Sequence, residues 1–269
     1  MPLPEAVVLA SPTVLRLPGI DHDGALLTPY ADALAAMEAL TERPAAAPDL
    51  LICVQHPPTI TVGRRGGHDQ IRRRTMHGAD GTTVEVQVHE VARGGNVTWH
   101  GPGQLVIYPV VRLTALDGPV GRGPIGDLPA FVRQLEDAMV ATCAVFGVAT
   151  TTRIGFSGVW LDERTKLASI GVGVRNGWTF HGLALNVEPR LEGFDLITPC
   201  GLDGVRMTSV RRELERARLP VPAYAEVEAE LCRQLQARLR RRANAPSTAP
   251  HAVGAQQTSS CSGGRPAAS

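Results

Sequence analysis

A single lysine, Lys166, stands in a chain that carries 27 lysines and arginines together. Arginine supplies charge and forked hydrogen bonds but keeps its proton at any ordinary pH, whereas a lysine that is buried or set beside another cation can give its proton away. An isolated lysine in an arginine-rich chain therefore points to proton transfer, unless it is a leftover surface charge, and its neighbours must decide. Cys200 is a candidate partner. It lies in Ile197-Thr198-Pro199-Cys200-Gly201-Leu202, where proline fixes the approach and glycine bares the next peptide, a local design for exposing one thiol on a turn. A third cluster is the loop Arg93-Gly94-Gly95-Asn96-Val97-Thr98-Trp99-His100-Gly101-Pro102-Gly103-Gln104. It offers bare backbone N–H groups, an arginine, a hydroxyl and an imidazole to a ligand. It is neither a Gly-x-Gly-x-x-Gly dinucleotide loop nor a phosphate loop ending in Gly-Lys-Ser/Thr, so nucleotide binding gets no support. By itself the loop also reads as a glycine-rich β connection with a core histidine.

The elements that must position these residues follow from periodicity. Residues 28–41 carry helical spacing, Leu50–Val54 reads as a short buried strand, and Val84–Val91 alternates as a half-buried strand does. Leu105–Leu113 is a longer β-branched run, Asp127–Phe146 an amphipathic helix, and Ala223–Leu239 a final helix. Two β-like runs within Leu167–Val187 flank Asn176-Gly177, the strongest two-residue hairpin signal. With Arg175 and Trp178 closing that turn, Ser169 faces Ala184, Ile170 faces Leu183 and Gly171 faces Gly182. Facing glycines leave a bare trough, where a ligand or another backbone comes close. The same register sets Lys166 opposite Val187, at the open end from which the chain leaves for Cys200. The expected fold class is α/β (α+β): a single domain over residues 1–242 with mixed or antiparallel sheet and helices covering one side. The Ala-, Ser-, Pro- and Gly-rich segment 243–269 is expected to be a disordered tail.

Composition narrows the rest. With 43% apolar and 20% charged residues the chain is of ordinary globular type, and no run is long enough to cross a bilayer. The N-terminus lacks the basic and apolar regions of an export signal, so a cytoplasmic location is expected. A net charge of +1 makes no case for nucleic acid or membrane; Arg72–Arg74 and Arg240–Arg242 read as solvated faces. Cys53, Cys143, Cys200, Cys232 and Cys261 are scattered, with no Cys-x-x-Cys and no histidine at zinc spacing, so neither disulfides nor a metal is expected. Cys53 and Cys143 sit in apolar runs as small hydrophobes, and Cys232 lies on a polar, helix-like stretch.

Three blocks, RGGNVTWHGPGQLVIY (Arg93–Tyr108), KLASIGVGVRNGWTFHGLALN (Lys166–Asn186) and TPCGL (Thr198–Leu202), together resemble the signature of lipoyl(octanoyl) transferases, within the biotin/lipoate protein ligase fold family. The resemblance spans residues 50–215. It implies that Cys200 is an acyl-accepting nucleophile and Lys166 its partner. It further implies acyl-chain contacts from Arg93, Gly94, Gly95, Asn96, Val97, Thr98, Trp99 and His100, from Ser169, Ile170 and Gly171, and from Gly182, Leu183 and Ala184. Trp99 departs from the family's usual Tyr or Phe, and altered packing is expected there. The implied donor is octanoyl-acyl carrier protein. The implied acceptors are lipoyl domains of 2-oxoacid dehydrogenase complexes and the glycine cleavage H protein. No cofactor or metal is implied, and a monomer is the expectation.

Moving an acyl group from a thioester to an amine is downhill, which suits a chain without a phosphate loop. A thiol with an ordinary pKa near 8.5 is little ionised at neutrality, so the site must stabilise the thiolate or supply a base. Lysine does both, as ammonium and then as amine; arginine does only the first. His100 and His181 are alternative bases, though an ordering hydrogen bond suits each better. Two rivals stand beside this reading: an ATP-dependent lipoate-protein ligase on the same fold, which needs no thiol, and a non-catalytic acyl-binding module.

Overall fold

Leu50, Ile52 and Val54 point to one face of their strand and Leu51 and Cys53 to the other, and all five are buried. A strand with two dry faces needs a layer on each side. The computed structural model supplies both, and describes residues 9–22, 25–78, 81–113, 128–199 and 204–242.

In chain order the first elements are β1 (Leu9–Ala10), β2 (Thr13–Arg16), β3 (Ile20–His22), β4 (Ala25–Leu27), α1 (Tyr30–Thr41), β5 (Leu50–Val54) and β6 (Thr59–Val62). Next come β7 (Thr75–His77), β8 (Thr83–Glu85), β9 (Gln87–Glu90), β10 (Val97–His100), β11 (Gln104–Val110) and α2 (Leu128–Val145). The last are β12 (Thr151–Arg153), β13 (Phe156–Trp160), β14 (Thr165–Arg175), β15 (Trp178–Asn186), β16 (Arg206–Met207), α3 (Val210–Ala217), α4 (Tyr224–Arg238) and β17 (Arg241–Arg242). The main sheet has eight strands in the order β12-β13-β14-β15-β11-β5-β2, with β16 pairing β14. A smaller sheet runs β10-β6-β9.

Helices cover both faces of the main sheet, not one. Phe131, Leu135 and Met139 of α2 and Val227, Leu231 and Leu235 of α4 pack on the face that carries Leu51 and Cys53. Ala33 and Met37 of α1 pack on the opposite face with Ile52, Tyr108 and Trp178. The small sheet has its own core, in which Trp99 meets Phe194 at 5.1 Å. Cys232, on a stretch that reads as polar, is buried with its Sγ 3.4 Å from that of Cys53, because α4 turns a narrow apolar stripe of Val227, Leu231 and Leu235 inward. Cys143 is also buried. Val84–Val91 divides into two strands around the buried Val86, whose N–H leaves for the Arg74 carbonyl. No described helix is long and apolar enough to cross a membrane. Asp127, Cys200, Gly201, Leu202, Cys261 and the segment 243–269 lie outside the described residues.

Candidate active site

The β14–β15 hairpin has the register its Asn-Gly turn dictates: Arg175 pairs with Trp178, Gly171 with Gly182, Ile170 with Leu183 and Ser169 with Ala184. Both turn residues have positive φ, Asn176 at 52° and Gly177 at 79°, as a type I′ turn requires. The pairing of Lys166 with Val187 does not occur. The ladder ends at Ala168 with Leu185, and β16 takes the vacant edge, setting Met207 beside Lys166 in parallel.

The facing glycines make room for backbone. A Cβ on Gly171 would lie 2.8 Å from the Gly94 carbonyl oxygen and 2.9 Å from Arg93 Cδ, and one on Gly182 would lie 2.2 Å from the Ile107 carbonyl oxygen. The glycine loop is therefore seated on the hairpin, and the Gly94 N–H donates to the Val172 carbonyl at 2.9 Å. Arg93 holds the loop's other side. Its buried guanidinium donates to the Thr61 carbonyl at 2.7 Å, to Thr61 Oγ1 at 2.8 and 3.2 Å, and to the Gly94 carbonyl at 2.9 Å. Only a planar fork reaches so many acceptors from one stem.

Loop and hairpin line one cavity of about 970 Å³. Of the expected contacts, Arg93, Gly95, Asn96, Val97, Thr98, His100, Ser169, Ile170, Gly171, Gly182, Leu183, Ala184 and Lys166 border it. Gly94 and Trp99 do not. Gly94 is spent on the hairpin contact, and Trp99 fills the small sheet's core, where Cβ atoms on Gly101 or Gly193 would strike its ring at 2.2 Å. An indole thus fits at this position because two glycines flank it.

Lys166 is buried, 3% exposed, in the cavity wall. Its Nζ donates to the Ser157 carbonyl at 3.0 Å and lies 4.8 Å from the centroid of the Trp160 ring. Gly158 (φ 113°) permits this, since a Cβ there would come within 2.9 Å of Lys166 Cε and 2.2 Å of the Ala168 carbonyl oxygen. The chain on both sides of Cys200 is pinned. The Thr198 N–H donates to the Gln70 carbonyl at 2.8 Å and Arg72 Nε to Thr198 Oγ1 at 3.3 Å. Beyond it, the Thr208 N–H donates to the Lys166 carbonyl at 2.9 Å.

Burial favours the neutral form of His56, His100 and His181. Gln104 Oε1 accepts from His100 Nδ1 at 2.7 Å, and Gln104 Nε2 donates to Asn186 Oδ1 at 3.0 Å. Asn186 Nδ2 in turn donates to the Thr208 carbonyl at 3.0 Å. The relay thus runs from the glycine loop to the strand beside Lys166. Burial pushes His100 and His181 down to about 3 and His56 to about 4. His56 donates from Nδ1 to the Thr28 carbonyl and accepts from the Tyr108 hydroxyl, both at 2.7 Å. His181 adopts φ 55° within a strand, a left-handed conformation that costs a non-glycine residue energy and recurs at functional sites.

Sequence reasoning missed Glu136, Ser157 and Trp160, which surround Lys166. Glu136 follows Leu135 on the buried face of α2, and no periodic signal separates it from a solvated carboxylate. Among the described residues bordering the cavity, Arg65, Arg93, Arg133, Arg153 and Lys166 oppose Glu136 alone, so the cavity favours an anionic visitor. No cluster of metal-ligating side chains occurs among the described residues.

A wide cavity thus lies between a glycine loop and a hairpin floor, with the chain's one lysine buried in its wall. Residues 29–236 match the family described as "Lipoyl protein ligase A/B catalytic domain", and the chain belongs to that family. Two relatives named octanoyltransferase refine its place. One from Desulfovibrio desulfuricans is 41% identical, covering 67% of this chain and 70% of the relative. Another, from Nitratidesulfovibrio vulgaris, is 43% identical, covering 69% and 80%. Among solved structures, lipoate-protein ligase A bound with ATP has the same fold, with a TM-score of 0.59 at 15% identity over 84% of each chain. A putative lipoate protein ligase from T. acidophilum with bound lipoic acid gives 0.54 at 16% identity, also over 84% of each.

Proposed function

We propose that this enzyme moves an octanoyl group from a carrier-protein thioester to a lysine amine of a lipoyl domain through a covalent thioester on Cys200. Octanoyl transfer in protein lipoylation follows from family membership and from 41–43% identity to octanoyltransferases over most of the chain. The single observation that supports the two-step mechanism is the placement of Lys166, the chain's one lysine, in the wall of the cavity bordered by the glycine loop and the hairpin.

In the first step the Lys166 ammonium supports the Cys200 thiolate as it attacks the donor carbonyl, and the carrier sulfur takes the Lys166 proton and leaves as thiol, so that Lys166 is left as free amine. In the second the acceptor amine attacks the Cys200 thioester, gives its proton to Lys166 as free amine, and Cys200 leaves as thiolate. The acyl chain lies between Asn96–Thr98 and the hairpin rungs. Acyl carrier protein is the proposed donor, lipoyl domains the acceptors, the cytoplasm the location, and residues 1–242 the catalytic unit.

Intact-mass spectrometry after mixing with octanoyl carrier protein tests this reading. One octanoyl adduct is expected, on Cys200, and it should discharge when a lipoyl domain is added. An adduct on another residue, or turnover without one, overturns the mechanism. Modification that requires ATP and free octanoate would revive the ligase reading, and binding without turnover the acyl-binding module.

A further inference from the structure

Lys166 and Glu136 grip the two ends of one peptide group. The Ser157 carbonyl accepts from Lys166 Nζ at 3.0 Å, and the N–H of the next residue, Gly158, donates to Glu136 Oε1 at 2.9 Å. Those carbonyl and N–H groups belong to the same amide of β13, which precedes the point where the register against β14 shifts, between Val159 and Trp160. Glu136 is buried, 9% exposed, and borders the same cavity.

We propose that Glu136 is a positioning residue for Lys166, acting through the Ser157–Gly158 peptide. A carboxylate accepting from an amide N–H draws electron density toward the carbonyl oxygen, which then holds an ammonium more firmly; hydrogen bonds in series reinforce one another in this way. The carboxylate also attracts the ammonium directly through a poorly screened interior. Glu136 thus fixes the direction of Lys166 Nζ and favours its charged form, which the first acyl-transfer step uses. The same grip explains Gly158, whose missing Cβ lets the lysine stem lie along the peptide it holds.

The charges around Glu136 fit this role. Burial raises its carboxyl above the ordinary range, the Gly158 N–H opposes that, Asp137 on the same helix raises it further, and Lys166 and Arg133 lower it. Arg153 also packs on Trp160, its guanidinium 4.7 Å from the ring centroid.

The inference rests on the proposed acid-base role of Lys166, but its test does not require turnover. Because the chain has one lysine, tag-free protein grown with lysine labelled at 13Cε gives one lysine side-chain resonance, that of Lys166. In Glu136→Gln, which keeps an acceptor for the Gly158 N–H and loses only the charge, the midpoint of that resonance should fall by about one pH unit, tenfold in proton affinity. In the unaltered protein the resonance should also show a small acid-side inflection, above the ordinary carboxylate range, as Glu136 takes its proton. An unchanged midpoint in the variant overturns the proposal, and so does a missing inflection if the variant does not fold. A failed Cys200 adduct with these titrations intact would sink the transfer mechanism and leave the Glu136 coupling standing.

Discussion

The ammonium of Lys166 lies over the face of Trp160, 4.8 Å from the ring centroid. An indole face attracts a cation without giving it a proton acceptor, so it holds the charge while leaving the proton available for exchange. Lys166→Arg should fold with a melting temperature close to the parent's and lose about 10²- to 10⁴-fold in octanoyl transfer, because a guanidinium does not take the acceptor's proton. Steady-state rates with a carrier-bound donor check this, and near-normal turnover would remove lysine from the mechanism.

Gly171→Ala tests whether the loop must sit on the hairpin. The new methyl would meet the Gly94 carbonyl oxygen at 2.8 Å, and backbone has to move. The steric cost outweighs the gain from a stiffer unfolded chain, for a net loss of about 1–2 kcal/mol in stability. With Arg93 and Gly94 displaced, KM for the acyl donor should rise more than kcat falls. Urea unfolding and donor titration measure the two effects separately.

Acid should unfold the protein through its buried imidazoles. His56, His100 and His181 are lowered from 6.5 to about 4, 3 and 3, so they stay neutral in the fold while the unfolded chain binds protons. Their contribution is complete above pH 6.5 and declines as pH falls toward the folded values. Each imidazole should cost about 1.4 kcal/mol per pH unit across that window. Chemical denaturation at several pH values between 7.5 and 4.5 reads the slope, and a flat profile would mean that water reaches these rings.

Gln104→Leu should cost roughly 1–3 kcal/mol for each buried partner left unsatisfied, His100 Nδ1 and Asn186 Oδ1. The loss should reach activity too, since Asn186 ties to Thr208, whose N–H binds the Lys166 carbonyl. Comparing Gln104→Leu with Thr61→Val, which removes a hydroxyl that serves Arg93 and touches His100 Nε2 at 3.4 Å but leaves the Gln104–Asn186–Thr208 link intact, separates that link from general loosening.

What the sequence made legible is whatever local chemistry decides. Asn176-Gly177 allows one turn, and the turn sets every rung down to Ala168 and Leu185. The expected helices agree with α1, α2 and α4 to within one or two residues at each described end, because their apolar stripes have nowhere else to go. Long-range choices were not legible. β16 displaces the expected partner of Lys166 by arriving from twenty residues beyond β15, and the buried Glu136 has meaning only once β13 is laid against α2. Trp99, an exception within the loop, belongs to a core contributed by Phe194 from far along the chain.

The Asn176-Gly177 turn carries a vulnerability of its own. Residues on both arms of the hairpin, Ser169–Gly171 and Gly182–Ala184, border the same cavity, and their facing depends on an even count through two residues at the tip. One residue inserted there would turn the inward side chains of one arm outward, with every amino acid downstream unchanged. It would be a frameshift written in space, and the hairpin would lose the site without any site residue being altered.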